Sequence, residues 1–331
     1  MDRSKTFEEV VVYGFARKIH SVKNYEILDG HKNIKYQKLA TLEDGKYWNR
    51  IFKYLKLLVV IYKNHGLSRK HLYIVGIDLR ILSVLIVNKY VEYVISDLAW
   101  LYYPKPFKGI IGFIDKVLSK YSNKVLMTSR GFYEGHFKNY VKPENLVLTE
   151  NKLATYGKVF PLNKLKDDKI RIAYIGAFRY KYIISNLLKV VSENKKLQLN
   201  FYGDGFSDIV EKMKEYTAAY ENITFNGAFK NPDDLQDIYE KNNLNFVVYN
   251  NSLENERLAM PNKFYESGFF NVPILCATNT YVGRRAEEQN MGWTCDIHES
   301  SIRDFFDKLT VENLLERHEE IKKLDKSQFN Y

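Results

Sequence analysis

Pro261, Lys263 and Glu266 lie close together in the stretch Ala-Met-Pro-Asn-Lys-Phe-Tyr-Glu-Ser-Gly-Phe-Phe-Asn-Val-Pro-Ile-Leu, residues 259–275. Pro261 suits the first position of a helix, where its fixed φ fits and its missing N–H is not needed. In a helix opening there, Lys263 and Glu266 are three apart and share a face. Free N–H groups and the dipole already draw anions to a helix N-terminus, and Lys263 adds a full charge. Glu266, one turn further in, can accept hydrogen bonds from two neighbouring hydroxyls, as a ribose offers them. A phosphate reader and a diol reader on one face, with Asn262 at the helix start, describe a sugar-nucleotide site. On these residues alone an ordinary i,i+3 ion pair on a structural helix remains an open alternative.

Such a helix needs a scaffold, and the second half of the chain reads as one. Ile170–Gly176, Leu197–Gly203, Asn222–Gly227, Leu244–Tyr249 and Val272–Cys276 have strand character. Helical patterns over about 183–194 and 206–216, and a Pro-started one at 231–239, separate them. The last residues, 301–326, read as polar helices. Alternation at this spacing implies a parallel, doubly wound sheet, and ligands bind beyond the carboxyl ends of its strands. Three loops meet at that edge. Gly176 allows close backbone approach, and Arg179 and Lys181 after it can neutralise a diphosphate and the charge on a departing phosphate. Gly203-Asp204-Gly205 exposes backbone N–H groups beside a carboxylate. The third loop is 260–266.

The order Ile-Gly-Ala-Phe-Arg, Phe-Tyr-Gly-Asp-Gly, Asn-Ile-Thr-Phe-Asn-Gly, Pro-Asn-Lys-Phe-Tyr-Glu resembles the donor half of GT-B glycosyltransferases, especially family 4 and its bacterial surface-polysaccharide relatives. The resemblance implies two Rossmann-like, doubly wound α/β domains facing a cleft. Residues 1–165 would be the acceptor side and 166–331 the nucleotide-sugar side, with a hinge near 161–169 and a last helix that can pack back on the first domain. It implies that the 261–266 helix holds the nucleotide diphosphate and that Glu266 grips the ribose. No cofactor is implied beyond the donor substrate, a nucleotide-diphosphate sugar, with a UDP-sugar as the first expectation. No metal is expected, since the histidines form no ligand pair.

Two departures stand out. Family-4 enzymes often carry a second glutamate eight positions before the ribose one, and here that position is Leu258. Glu254 and Glu256 are close by and can substitute for it, although the stretch reads first as a solvated acidic loop. The relatives' histidine after the Val91–Ile95 strand is replaced by Ser96-Asp97. Asp97 can serve as general base for an acceptor hydroxyl in an inverting transfer, and a turn or capping role is equally open. Ser129, after the Val125–Thr128 strand, reads as a helix cap.

The first domain reads less clearly. Strands are expected at 9–13, 34–39 and 72–75, with helices at 48–62, 79–88 and 107–120. The opening residues, with Asp2-Arg3-Ser4 resembling text that follows the second strand in relatives, suggest that about 30–40 residues of a standard fold are missing. Charge is uneven. Residues 1–165 hold 28 Lys and Arg against 14 Asp and Glu, a net +14, and the remainder is −4, within a total of +10. Only one half is therefore suited to a polyanion or an anionic membrane. Tyr47–Lys63 joins aromatics, cations and an apolar face, and Tyr102–Lys108 repeats that chemistry, as surfaces at anionic bilayers do; the alternative is that the apolar stripe faces the domain's own sheet and only the charged side meets lipid. No apolar run is long enough to span a bilayer, and the two cysteines, Cys276 and Cys295, make no disulfide scaffold.

The leading expectation is a glycosyltransferase at the inner face of the cytoplasmic membrane. It would move a sugar from a nucleotide-diphosphate donor to a glycan acceptor, lipid-linked, in capsule, O-antigen or exopolysaccharide assembly. Asp97, Arg179 and Lys263 would be catalytic, with Gly176, Lys181, Gly203, Asp204, Gly205, Pro261, Asn262 and Glu266 binding the donor. The alternative is a catalytically impaired scaffold or partner subunit. An epimerase should carry more carboxylates and histidines, a phosphorylase a cofactor lysine motif, and no nucleic-acid module is present.

Overall fold

The computed structural model describes residues 7–17, 32–42, 47–154, 159–166 and 168–331. Residues 1–6, on which the expectation of a shortened N-terminus partly rests, lie outside them. Contacts group the chain into two compact units, 1–94 with 121–124, and 95–120 with 125–331.

In the first unit, β1 (Val10–Arg17) and β2 (Ile34–Leu42) pair in parallel. Helix α1 (Tyr47–His65) follows, then β3 (Lys70–Val75), α2 (Ile77–Leu82) and β4 (Asn88–Ile95). β3 and β4 are also parallel, from Lys70 opposite Asn88 to Val75 opposite Val94. The sequence places a helix at 79–88, but α2 starts earlier and gives way to a 3₁₀ turn at Ser83–Leu85. Asn88 already belongs to β4. Helix α1 buries Leu57 and Ile61 against Ile86, while Phe52, Leu55 and Val59 remain exposed. Its apolar residues thus cover two faces, of which the core uses one.

The second unit contains α3 (Phe107–Lys120), β5 (Lys124–Met127) and α4 (Arg130–Phe132), which runs into a π turn at Tyr133–Phe137. Strand β6 (Leu146–Leu148) pairs with β5 in parallel. Ser129 caps α4 by accepting from the Gly131 N–H at 3.0 Å, as its place in the sequence suggested.

The larger sheet is built from β7 (Ile170–Ile175), β8 (Leu197–Tyr202), β9 (Ile223–Phe225), β10 (Leu244–Val247), β11 (Ile274–Ala277) and β12 (Gly292–Cys295). All neighbours are parallel, in the order β12-β11-β10-β7-β8-β9. The connecting helices are α5 (Lys181–Ser192), α6 (Ser207–Ala219), α7 (Leu235–Lys241), α8 (Glu254–Leu258), α9 (Asn262–Phe270) and α10 (Tyr281–Glu288). They are followed by α11 (Glu299–Lys308) and α12 (Val311–Lys322). Alternate residues of β7 enter different cores. Ile170, Ile172 and Tyr174 pack with α5, and Ala173 and Ile175 join the cluster that holds Phe264 and Phe270 of α9. A strand buried on both faces in this way defines a doubly wound sheet.

The sequence placed several element starts differently. The Asn231-Pro232 segment forms a turn, and α7 begins only at Leu235. Pro261 is extended, at φ −77° and ψ 155°, so it is the residue before the helix rather than its first turn. The terminal helices are less polar in function than in composition, since they bury Ile302, Phe306, Leu314 and Ile321.

Candidate functional site

Strand order reverses between β7 and β10, and a parallel sheet opens its ligand crevice at such a switch point. The loops predicted to meet there do meet. The Gly176 N–H donates to the Tyr202 carbonyl at 2.8 Å and the Phe178 N–H to that of Asp204 at 2.9 Å, which zips the first two loops together. Gly203 has φ +138°, and a Cβ built on it would lie 1.9 Å from the Gly176 oxygen. Only glycine lets these two turns come so close. Lys263 reaches the same place from α9, its Cε 3.9 Å from where a Gly176 Cβ would be.

Lys263 and Glu266 do not stand open on the helix face as the sequence suggests. Lys263 is 8% exposed and Glu266 1%. The ammonium donates to both carboxylate oxygens, at 2.8 and 2.7 Å, and the Tyr239 hydroxyl donates to Oε2 at 3.0 Å. Asn245 donates in turn to the Tyr239 oxygen and to Ser267. The Phe229 ring lies 5.6 Å from the ammonium. A charge pair so buried is held by geometry and hydrogen bonding on all sides. Tyr239, Asn245 and Phe229 escaped the sequence reading because nothing in their spacing links them to Glu266.

The other expected residues are more exposed. Lys181 pairs with Asp208 at 2.5 Å on the surface. Asp204 accepts from the Gly205 N–H at 2.8 Å, which shapes the turn. Asn262 begins α9 and Pro261 precedes it. Arg179 is exposed and lines a cavity of about 470 Å³ with Tyr102, Tyr180, Asn250 and Glu256, a volume in the range of small-molecule sites. Lys181 forms part of its wall.

Glu256 is the residue the sequence reading undervalued. The acidic stretch is not a solvated loop but the short helix α8. Within it, Glu254 faces His136 at 3.1 Å and Arg257 at 3.8 Å. Glu256 turns into the cavity and accepts from the Tyr180 hydroxyl at 3.3 Å, while its buried Oε2 has no hydrogen-bond partner among the described residues. Burial pushes its carboxyl above the ordinary value, and Asp97 adds to the shift while Arg179 opposes it. The same groups act on Tyr102, whose hydroxyl burial, then Glu256 and Asp97, push up to about 12. Asp97 itself is exposed and lies 3.5 Å from the Asn255 amide, whose oxygen accepts from the Leu98 N–H at 2.9 Å. The Glu256 carboxyl, the Arg179 guanidinium and the phenols of Tyr102, Tyr180 and Tyr182 therefore share one cavity, with the charge of Asp97 near enough to act on Glu256 and Tyr102.

The Glu256 shift has a measurable sign. A carboxyl raised on folding contributes stability that is complete below the unfolded value of about 4 and is lost as pH rises through the folded one. The melting temperature of the wild type should fall with pH across that window more than that of Glu256→Gln. Parallel curves for the two proteins would remove the burial argument.

At the position eight before Glu266, Leu258 has a packing role. Its carbonyl accepts from the Ser129 hydroxyl at 2.5 Å, and its side chain fills the space over Gly135. Among the described residues no group of three or more His, Cys, Asp and Glu could hold a metal ion.

No protein-family model matches the sequence, and no curated protein does. Solved structures match the backbone over nearly its whole length. A sucrose-phosphate synthase from Thermosynechococcus elongatus superposes with a TM-score of 0.68 at 12% identity, over 96% of this chain and 85% of that one. The Anabaena protein HepE, in complex with UDP and glucose, gives 0.67 at 10%, over 96% and 87%. The lipopolysaccharide outer core galactosyltransferase WaaB gives 0.58 at 13%, over 97% and 93%. With its parallel sheets, reversed strand order and glycine-built loops, the chain has the fold of the GT-B glycosyltransferases.

Proposed function

We propose that this protein is a glycosyltransferase that takes a sugar from a nucleotide-diphosphate donor, UDP-linked, and passes it to a glycan acceptor. The observation that carries the reading is the cavity lined by Arg179, Lys181 and Glu256, whose two cations follow the Gly176 turn in sequence and whose carboxyl feels the charge of Asp97. In the transfer, the bond from the sugar's anomeric carbon to the diphosphate oxygen breaks and a bond to an acceptor oxygen forms. Arg179 neutralises the charge gathering on the departing diphosphate. In an inverting reaction Asp97, exposed to an incoming acceptor, takes the acceptor proton. In a retaining one the leaving phosphate oxygen takes it. Glu256, with an unpartnered oxygen, is placed to hold a hydroxyl of the donor sugar.

The Lys263–Glu266 pair suggests how the nucleotide is read. Two of the three ammonium protons are committed to Glu266. Diphosphate arriving beside Gly176 competes for the ammonium, and Lys263 turning towards it frees carboxylate lone pairs for the ribose hydroxyls. We further propose a lipid-linked acceptor, a role in bacterial surface-polysaccharide assembly and a site of work at the inner membrane face. The boundary near residue 165 is part of the same reading. That HepE is solved with UDP and that WaaB is a lipopolysaccharide galactosyltransferase supports these choices.

The test is calorimetry against UDP, GDP and CMP nucleotides. UDP should bind, and Arg179→Ala should weaken it by about 10- to 100-fold, the worth of a hydrogen bond to a charged group. Failure of all three nucleotides to bind would end the proposal. Leu258 in place of a glutamate favours a second reading, a donor-binding subunit without transfer. UDP binding without donor turnover in the presence of any lipid-linked glycan would select it.

A further inference from the structure

Helix α3 is amphipathic the wrong way round. Asp115 and Ser119 are each 1% exposed and Gly112 is buried with them, whereas Phe107, Ile110 and Phe113 are 56%, 56% and 61% exposed. The spacing of three puts those apolar side chains on one outward face. Packing explains the inner side. Gly112 sits against the Trp100 indole, where a Cβ would fall 2.9 Å from the ring, so the small-residue face is the one that fits. It does not explain leaving two phenylalanines and an isoleucine in water, since an isolated domain gains nothing from that arrangement.

The charges around the stripe say what covers it. Between Tyr102 and Lys120 the cations are Lys105, Lys108, Lys116 and Lys120, and the only acid is Asp115, which faces inward. Lys116 lies over the Trp100 ring, 5.6 Å from its centre, which leaves Lys105, Lys108 and Lys120 as the charges of this segment available to the ridge. An apolar ridge with such cations at its ends complements an anionic bilayer, with the rings in the headgroup–acyl boundary and the ammonium groups at the phosphates. We propose that the α3 face, led in by Tyr102, Lys105 and Lys108, docks this protein on an anionic lipid surface. The inference gives the lipid-linked acceptor reading a physical location. Tyr102 lines the cavity and is only five positions from Phe107, so at most about 18 Å of backbone separates the cavity wall from the start of the lipid-facing stripe. No described helix is long and apolar enough to cross a membrane, so the contact is a surface one.

Flotation with phosphatidylethanolamine vesicles, with and without phosphatidylglycerol, tests it. The wild type should float with the anionic vesicles and far less with the neutral ones. Phe107→Ser/Phe113→Ser should weaken binding by about 100-fold, tenfold for each half-inserted ring. Lys105→Glu/Lys108→Glu should erase the preference for phosphatidylglycerol while leaving the fold intact. Equal flotation of the wild type and the phenylalanine variant overturns the proposal, as does no flotation at all. So does a dimer in solution that the phenylalanine variant abolishes, because the face then belongs to a second copy. UDP affinity, measured on the same variants, should match the wild type. Vesicle binding without UDP binding would sink the donor reading and spare this one, and the reverse result would do the opposite.

Discussion

Glu266→Ala should lower the unfolding free energy by about 3–5 kcal/mol, the cost of leaving one member of a buried ion pair unpaired. Lys263, 8% exposed, would be left beside Phe229 with no carboxylate to meet it. The Tyr239 hydroxyl would lose its acceptor as well. Urea unfolding measures the loss. The informative companion is Lys263→Met/Glu266→Gln, which removes both charges and keeps an oxygen for Tyr239. It should recover most of the stability, because a buried pair replaced as a pair costs little. It should not recover UDP binding if Glu266 reads the ribose and Lys263 the diphosphate. A double variant that is stable and binds UDP as well as the wild type would reduce the pair to a structural strut.

Gly203→Ala should cost about 3–5 kcal/mol, near the top of what one substitution does. Two effects combine. A backbone at φ +138° is disfavoured for any residue with a Cβ, by about 1–3 kcal/mol. The new methyl would also stand 1.9 Å from the Gly176 carbonyl oxygen, and neither turn can yield without breaking the hydrogen bond from Gly176 to Tyr202. Gly227→Ala separates the two effects. That residue has φ +76° with nothing within 4 Å of its added Cβ, so strain acts alone and about 1–2 kcal/mol is expected. Denaturation midpoints for the two variants make the comparison. Equal losses would mean that the close approach of the two turns carries no energy. UDP affinity of a folded Gly203→Ala protein should also fall, since the parted turns no longer define the site.

The doubly wound sheet was legible because its strands are buried on both faces, and runs such as Ile170–Ile175 and Leu197–Tyr202 announce that in composition. Glycines closing β7 and β8 marked the ligand edge for the same local reason. Of the elements that went unread, β6, α8 and β12 are three to five residues long, too short for any periodicity to show, and α10, at eight residues, spans little more than two turns. Helix α2 shows the converse error. An apolar run at 79–88 reads as one helix, yet its second half is needed by β4, which pairs with β3. Tertiary pairing overrode a local preference there.

Sequence alone determined the order of the loops, the residue types at their tips and the imbalance of charge between the two halves. These properties are local, or sums over the chain, and need no coordinates. Only the tertiary structure decided where the charges point. Lys263 and Glu266 are an i,i+3 pair in the sequence whether solvent or Tyr239 and Phe229 surround them, and burial is set by residues 24 to 37 positions away. Glu256 looked like one more solvated acid until α8 aimed it at Tyr180 and Arg179. The inverted face of α3 likewise appears only once Trp100 has claimed the small-residue side. A side chain's neighbours come from distant parts of the chain, and those neighbours fix its charge state and reach.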